Sequence, residues 1–417
     1  MASSSCWRMA GMEAPLLSLD SIEWRQVSVP STSTYTANND NSIVKDFASS
    51  ITVGNPPSYF IWKISRSQGN VLEIVRICSH KDTSTNGLRL VFPEALFPFA
   101  CICKLDETKY ASGDCLVLYT LTISGVAYLI RLRSNLDYGT SSLVPASEVL
   151  EYNTQVHPHS GATTAVAASE GCLLIGRSDG SISCFQLDIL DPSTPVFVSE
   201  LRDDPGFGRL WGILSRSPNL AAVVDLVVSE VQQRKLLFVL HSDGSFRVWD
   251  LLSRSKIFGH AMTVPASTGA FIRLWTGEVN IVTGVIPLAL LHGQNLDVAT
   301  ETIYLYGLRL NVREKTPLSL EPSSRRISLG EAGPIDVKLT SDKVLILKED
   351  GLIMQELNSD DSTEGLAHYY TLQENLVADL LFQSSEHSSD DLLWLAYSAF
   401  YSEKRLSILK SAKELQV

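Results

Sequence analysis

No stretch of this chain reaches the roughly 18 uncharged apolar residues that a membrane-crossing helix needs, so membrane insertion by that route is excluded. The start, MASSSCWRMAGMEAPLLSL, carries Arg8 but lacks the apolar block of a secretory signal, and secretion is not expected. Cysteine is sparse: seven in 417 residues, odd in number and scattered at 6, 78, 101, 103, 115, 172 and 184. This pattern argues against a disulfide framework and fits small apolar thiols in a reducing compartment, cytosol or nucleus. Clustered positive charge is also missing. The net charge is −12, and the densest basic runs, Arg131-Leu132-Arg133 and Arg325-Arg326, read as solvated strand ends or loops. Phosphate binding needs a stripe of Lys and Arg, so direct contact with nucleic acid is not expected.

Motifs that carry chemistry are equally scarce. His157-Pro158-His159 has no Cys or carboxylate set at ligand spacing and reads as an exposed turn. Cys101-Ile102-Cys103 would place both thiols on one face of a strand, but no second pair completes a zinc site, and packing is the better reading. Gly206-Phe207-Gly208 lacks the Lys-Ser or Lys-Thr of a phosphate loop. There is no Gly-x-Ser-x-Gly elbow, and the adjacent carboxylates Asp203-Asp204 and Asp390-Asp391 lie in loop contexts too wet to shift their proton affinity. The sequence therefore offers no catalytic, cofactor-binding or metal-binding residue, and no small-molecule substrate is expected.

What the chain does have is a repeat. CLVLYTLTISGVAYLIRL ending at Leu132, CLLIGRSDGSISCFQL ending at Leu187 and LLFVLHSDGSFRVWDL ending at Leu251 share an apolar run, a polar turn and a second apolar run. The turns close on Gly125, on Asp179-Gly180 and on Asp243-Gly244, with Asp350-Gly351 as a further variant. Asp-Gly favours a tight hairpin because glycine takes positive φ without a Cβ clash and Asp tolerates it. The first run of each unit is almost unbroken aliphatic, as in a strand covered on both faces. YFIWKISRSQGNVLEIVRI supplies a weaker copy at Gly69, and looser ones fall at Gly293 and near Ser402.

Seven anchors then follow at spacings of about 55 residues, longer than the about 40 to 45 of a four-stranded propeller repeat. Further strands fit at Ala221 to Val228 and Ile335 to Leu339, ahead of their hairpins. The expected fold is an all-β, WD40-like β-propeller of about seven blades of roughly four strands, with long loops and small helical insertions, one of them between Glu364 and Phe382. Residues 1–42, with the Ser-, Thr- and Asn-rich tract from Ser28 to Ser42, read as a mostly flexible lead, and 43–417 as the propeller.

One stretch carries a resemblance. Within Gly208 to Ile257 lie Leu210-Trp211-Gly212, the strand Val223 to Val228, Leu237-Phe238-Val239-Leu240, Asp243-Gly244 and Arg247-Val248-Trp249. These resemble the amino-terminal propeller of the scaffold nucleoporins of the 160-kilodalton class, in a plant-like or other divergent form. Trp249-Asp250 reproduces the WD dipeptide once, whereas an ordinary WD array repeats it with Gly-His pairs. The resemblance implies a non-enzymatic scaffold role in the Y-shaped outer ring of the nuclear pore complex at the nuclear envelope. Its partners would be other nucleoporins, and messenger RNA export and protein import would depend on it indirectly. It also implies an α-helical solenoid after the propeller, which does not appear before residue 417. Trp249 is expected to pack between blades, and Trp211 either anchors the core or meets a partner. The alternatives are a propeller adaptor of a vesicle coat or ubiquitin ligase, recognised by a peptide groove, and a propeller hydrolase, recognised by convergent carboxylates.

Overall fold

Strand pairing follows directly from the repeat. The computed structural model describes residues 22–31, 47–53, 58–78, 85–105, 116–133, 135–155, 161–187, 196–201, 221–231, 234–262, 269–280, 283–294, 301–310, 317–330, 333–340, 343–348, 351–356 and 368–371. They form six sheets among the described residues. The first contains β1 (Ile22–Ser28), β2 (Phe47–Val53), β3 (Ser58–Ile64), β4 (Val71–Cys78) and β5 (Thr85–Val91). The second contains β6 (Leu96–Lys104), β7 (Leu116–Thr122), β8 (Val126–Leu132) and β9 (Val149–Asn153). The third contains β10 (Thr163–Ser169), β11 (Cys172–Arg177), β12 (Ile182–Gln186) and β13 (Phe197–Leu201). The fourth contains β14 (Val223–Val231), β15 (Arg234–His241), β16 (Ser245–Asp250) and β17 (Ser255–Ala261). The fifth contains β18 (Gly269–Thr276), β19 (Val285–Gln294), β20 (Glu301–Leu310) and β21 (Pro317–Gly330), and the sixth β22 (Asp336–Leu339), β23 (Lys343–Lys348), β24 (Gly351–Glu356) and β25 (His368–Thr371).

Sheets two to six run in sequence order, and the antiparallel pairings recorded for them are those of consecutive hairpins. The first runs β1-β5-β4-β3-β2, with β1 parallel to β5. Thus Ile22–Ser28, inside the expected flexible lead, is a strand: its apolar positions Ile22 and Val27 are buried and its backbone pairs with Thr85–Val91. His368–Thr371, inside the expected helical insertion, is likewise a strand, because HYYT pairs with Gly351–Met354. The only helical pieces among the described residues are single 3-10 turns at Arg66–Gln68 and Ala146–Glu148. The anchor near Ser402 lies outside the described residues.

Turn chemistry holds at three anchors and fails at two. Gly125, Gly180 and Gly244 take φ of 85°, 80° and 78°, and each donates its N–H back three residues, to Thr122, Arg177 and His241. Gly69 has φ −60°, because a 3-10 turn rather than a two-residue turn joins β3 to β4. Gly293 lies within β19, so the connection to β20 comes after it.

The chain divides into two compact units, one of residues 1–152, 345–354 and 366–417, the other of 153–344 and 355–365. In the first, a single apolar cluster joins the first and second sheets, from Val27 and Trp62 to Leu118, Tyr128 and Val144. Trp62 Nε1 crosses between them to donate to the Ala100 carbonyl at 2.9 Å. All seven residues of β7 are buried, which explains its unbroken aliphatic run. Across β3, β4 and β5, Lys63, Glu73 and Arg89 stand in register as a charge row, with Lys63 to Glu73 at 3.3 Å and Arg89 to Glu73 at 2.8 Å.

In the second unit the first strands of successive sheets lie side by side, β10 by β14 and β14 by β18. At the start of β14 and in β18 the pairing to the second strand shifts by a residue, between Val223 and Asp225 and between Phe271 and Arg273. Such bulges re-aim side chains toward the neighbouring sheet. Asp225 Oδ2 accepts the Leu274 N–H at 2.7 Å while its Oδ1 accepts the Leu226 N–H at 2.9 Å. Asp336 repeats the device, accepting Trp275 Nε1 and the Val337 N–H, each at 2.9 Å. The close approach needs glycine at Gly176, where a Cβ would meet Val223 Cγ1 at 2.4 Å. Trp249, 2% exposed, fills the space between the third and fourth sheets among Leu174, Cys184, Leu226 and Leu237.

Two outcomes follow. Trp249→Ala should destabilise by about 3 to 5 kcal/mol, the cost of emptying a fully packed site, and an unchanged melting temperature would refute the inter-sheet role. Burial raises the Asp225 pKa to about 6, against the pull of Arg273 and the two backbone N–H donors. The folded state therefore holds the proton more tightly than the unfolded chain, so this group's contribution is largest below the ordinary carboxylate range and is lost as pH rises through about 6. Asp225→Asn removes that slope: relative to the parent chain its stability should rise between about pH 4 and 6.5 and run level above that, measured by denaturant unfolding, and parallel profiles across that lower range would contradict the assignment.

Candidate partner-binding surface

The residues singled out by sequence do not converge on one site. Gly69, Gly125, Asp179, Gly180, Asp243 and Gly244 each sit in the turn of their own sheet, and Gly351 opens β24 opposite Thr371. Trp211 and Asp350 lie outside the described residues, as do His157, His159, Asp203, Asp204, Gly206, Gly208, Asp390 and Asp391. Among the described residues no three His, Cys, Asp or Glu side chains are grouped closely enough to hold a metal ion.

The turn aspartates do structural chemistry. Asp179 Oδ1 accepts both the Ser181 N–H at 3.0 Å and the Ser181 hydroxyl at 2.6 Å, and Oδ2 accepts the Gly161 N–H at 3.1 Å. Burial opposes its charged form, but these donors and Arg177 together hold its pKa below the ordinary value. Asp243 follows the same pattern: burial is outweighed by the Ser245 backbone and hydroxyl, with His241 and Arg247 adding to them. Carboxylates stabilised in this way as anions are poor proton carriers at neutral pH, so these positions are anchors of shape.

The more informative feature lies at the β16 to β17 turn, next to the single Trp-Asp dipeptide. Asp250 is buried, and its Oδ1 accepts the Leu252 N–H at 2.8 Å and the Ser253 N–H at 3.3 Å. Its Oδ2 pairs with the Arg234 guanidinium, through Nε at 3.1 Å and through Nη2. Burial again works against the Asp250 anion and is overcome by Arg234 and the two backbone donors, leaving its pKa lowered. Ser253 and Ser255 hydroxyls meet at 2.7 Å, and Arg254 adopts φ 54°, a conformation costly for a residue with a Cβ. This rigid turn holds Leu252 out at 93% exposure. Arg254 lies 5.3 Å from the ring centroid of Phe197, itself 56% exposed at the start of β13. The turn thus fixes the backbone under an exposed leucine, with an arginine over an exposed aromatic ring two residues on, which makes it the candidate contact surface.

Sequence reasoning reached Trp249 and Asp250 as the one Trp-Asp dipeptide, and passed over Leu252, Arg254 and Phe197. The available signal was the apolar Leu251-Leu252 pair immediately after a strand ended by Asp250, where a polar turn is the norm.

Comparison with known proteins now bears on this framework. Residues 58–281 match the family model described as nucleoporin Nup120/160, beta-propeller domain. The chain is 37% identical over 408 residues to the nuclear pore complex protein NUP160 of Arabidopsis thaliana, covering 95% of this chain and 27% of that protein. Thus the chain spans about a quarter of the length of its curated relative. Among solved structures, the Nup133 β-propeller domain of Vanderwaltozyma polyspora aligns with 10% identity and a TM-score of 0.41, over 78% of this chain and 91% of that one. The Cps50 (Swd1) β-propeller domain of Myceliophteria thermophila aligns with 10% identity and a TM-score of 0.43, over 72% and 82%. Neither score is high enough to add to the family match. With its repeated hairpins, all-β sheets and a match spanning more than half its length, the chain belongs to the Nup120/160 nucleoporin family and carries that family's β-propeller domain.

Proposed function

We propose that this chain is the propeller part of a structural scaffold component of the nuclear pore complex outer ring, the Y complex, at the nuclear envelope. The observation that carries the reading is the 37% identity to a NUP160 sustained over 95% of the chain, which the fold alone would not supply. Its partners are other nucleoporins, and its role is structural rather than catalytic, supporting messenger RNA export and protein import through the integrity of the pore. Contact is made in part through the turn that presents Leu252 beside Arg254 and Phe197, which supports binding by its exposure and rigidity.

The test is affinity purification of the tagged chain alongside the full-length protein, with mass spectrometry of what accompanies each. Outer-ring nucleoporins should be recovered with the full-length protein. Vesicle-coat or ubiquitin-ligase subunits in their place would overturn the reading. Leu252→Asp, at a position with little to lose on folding, should shift stability by no more than about 0.5 kcal/mol. In the short chain it should nonetheless lower recovery of any nucleoporin that the parent chain retains. Unchanged recovery would remove this turn from the interface.

A further inference from the structure

Two of the sparse cysteines are brought together by strand register. Cys172 opens β11 opposite Gln186, and Cys184 lies on β12 opposite Leu174, so the two thiols stand on the same face of adjacent strands, offset by two residues. Their sulfurs are 3.2 Å apart. On β13, Ser199 is directly opposite Cys184 and adds a buried hydroxyl to that face. Positive charge comes from outside the sheet: Arg254, from the rigid turn after β16, acts on both sulfurs, and Lys235, paired with Glu170 at 3.4 Å, acts on Cys172. Cys172 is half-buried and Cys184 buried, an enclosure that admits a small oxidant more readily than a bulky one.

We propose that Cys172 and Cys184 form a redox-modification site, a dithiol that hydroperoxides convert reversibly to a disulfide bridging β11 and β12. Nothing in the scaffold role calls for it. A hydrogen bond donated by Cys172 lowers the Cys184 pKa to about 7, with Ser199 and Arg254 acting in the same direction and burial against them. Cys172 is raised in return, chiefly by that same hydrogen bond and by burial, so one sulfur of the pair gives up its proton more readily than the other. A thiolate, not a thiol, is the nucleophile.

The steps balance. The thiolate attacks the peroxide O–O bond; an S–O bond forms, O–O breaks, and the leaving oxygen takes a proton to depart as alcohol, or as water from hydrogen peroxide. The second sulfur attacks the resulting sulfenic acid; S–S forms, S–O breaks, and hydroxide leaves as water with the remaining thiol proton. Two thiols and one hydroperoxide give one disulfide, one alcohol and one water, the two sulfurs losing two electrons to the O–O bond. A dithiol reductant reverses it. The two cysteines are diagonal neighbours across the strands, a Cα separation of about 7 to 8 Å, so closing to the about 2 Å of a disulfide needs backbone movement at the strand end, where Cys172 directly follows Gly171, a turn glycine at φ 73°.

Cys101 and Cys103 serve as an internal comparison. Their sulfurs are 3.6 Å apart, but both lie on β6 two residues from each other, where an extended backbone directs the Cβ atoms in parallel rather than toward one another. That geometry disfavours a bridge. Cys101 also has its pKa raised, by its hydrogen bond to Cys103 and by burial.

The experiment is exposure of the reduced chain to hydrogen peroxide, quenching with a maleimide, and non-reducing tryptic mapping. Cleavage after Arg177 separates the two cysteines, so a bridge appears as two linked peptides lighter by two hydrogens and resolved by dithiothreitol. The expected result is a Cys172–Cys184 link formed several-fold faster than any involving Cys101 or Cys103, and slowed several-fold in Arg254→Gln, a half-buried turn position. Equal rates for both pairs, a link between Cys101 and Cys103 first, or Cys184 oxidised past the sulfenic stage with no link would each overturn the proposal.

Discussion

Each sheet depends on its neighbours to cover its faces. Strands such as Leu116–Thr122 and Arg234–His241 are apolar on both sides, and a lone hairpin of this composition would leave one side in water. Stacking turns that liability into a core, in which Trp62 and Trp249 span the gap from one sheet to the next. The packing is dense enough that Gly176 and Gly277 accept neighbouring side chains where a Cβ would collide.

Polar groups then fix how the sheets meet. Asp225 and Asp336 each bind a neighbouring sheet's donor as well as their own strand, so adjacent first strands are joined by directional bonds as well as by apolar contact. An unpaired carboxylate there would carry a heavy desolvation cost, which ties each bond to correct packing. The row of Lys63, Glu73 and Arg89 in the first sheet works the same way: a buried charge is tolerated because its neighbours are in register. The same aspartate that ends β16 fixes the backbone that holds Leu252 out, linking scaffold stability to the face that a partner would meet.

Much of the fold could be read from local chemistry. The Asp-Gly turns at Gly180 and Gly244 and the Ser-Gly turn at Gly125 depend on residues within a few positions of each other, and their positive φ angles follow from glycine itself. Local chemistry is overridden where a partner far along the chain decides. Ile22–Ser28 looks like part of a polar lead until Thr85–Val91 supplies its hydrogen bonds. His368–Thr371 reads as helix until Gly351–Met354 pairs with it, since strand propensity is weak against tertiary context. Gly69 and Gly293 stand as turn anchors only on weak copies of the repeat, and a 3-10 turn and a longer strand absorb them.

The sequence by itself determined the class: repeated aliphatic runs and hairpin turns specify a β repeat architecture, and the Gly208 to Ile257 stretch carries the nucleoporin resemblance, because both are properties of short contiguous stretches. Only the tertiary structure decided what stands on the surface and what meets across strands. Leu252 is exposed while Leu251 packs inward, because Asp250 sets the turn between them and solvent. Cys172 and Cys184 face each other because β11 and β12 pair in one register, and a slip by one residue would send the thiols to opposite faces.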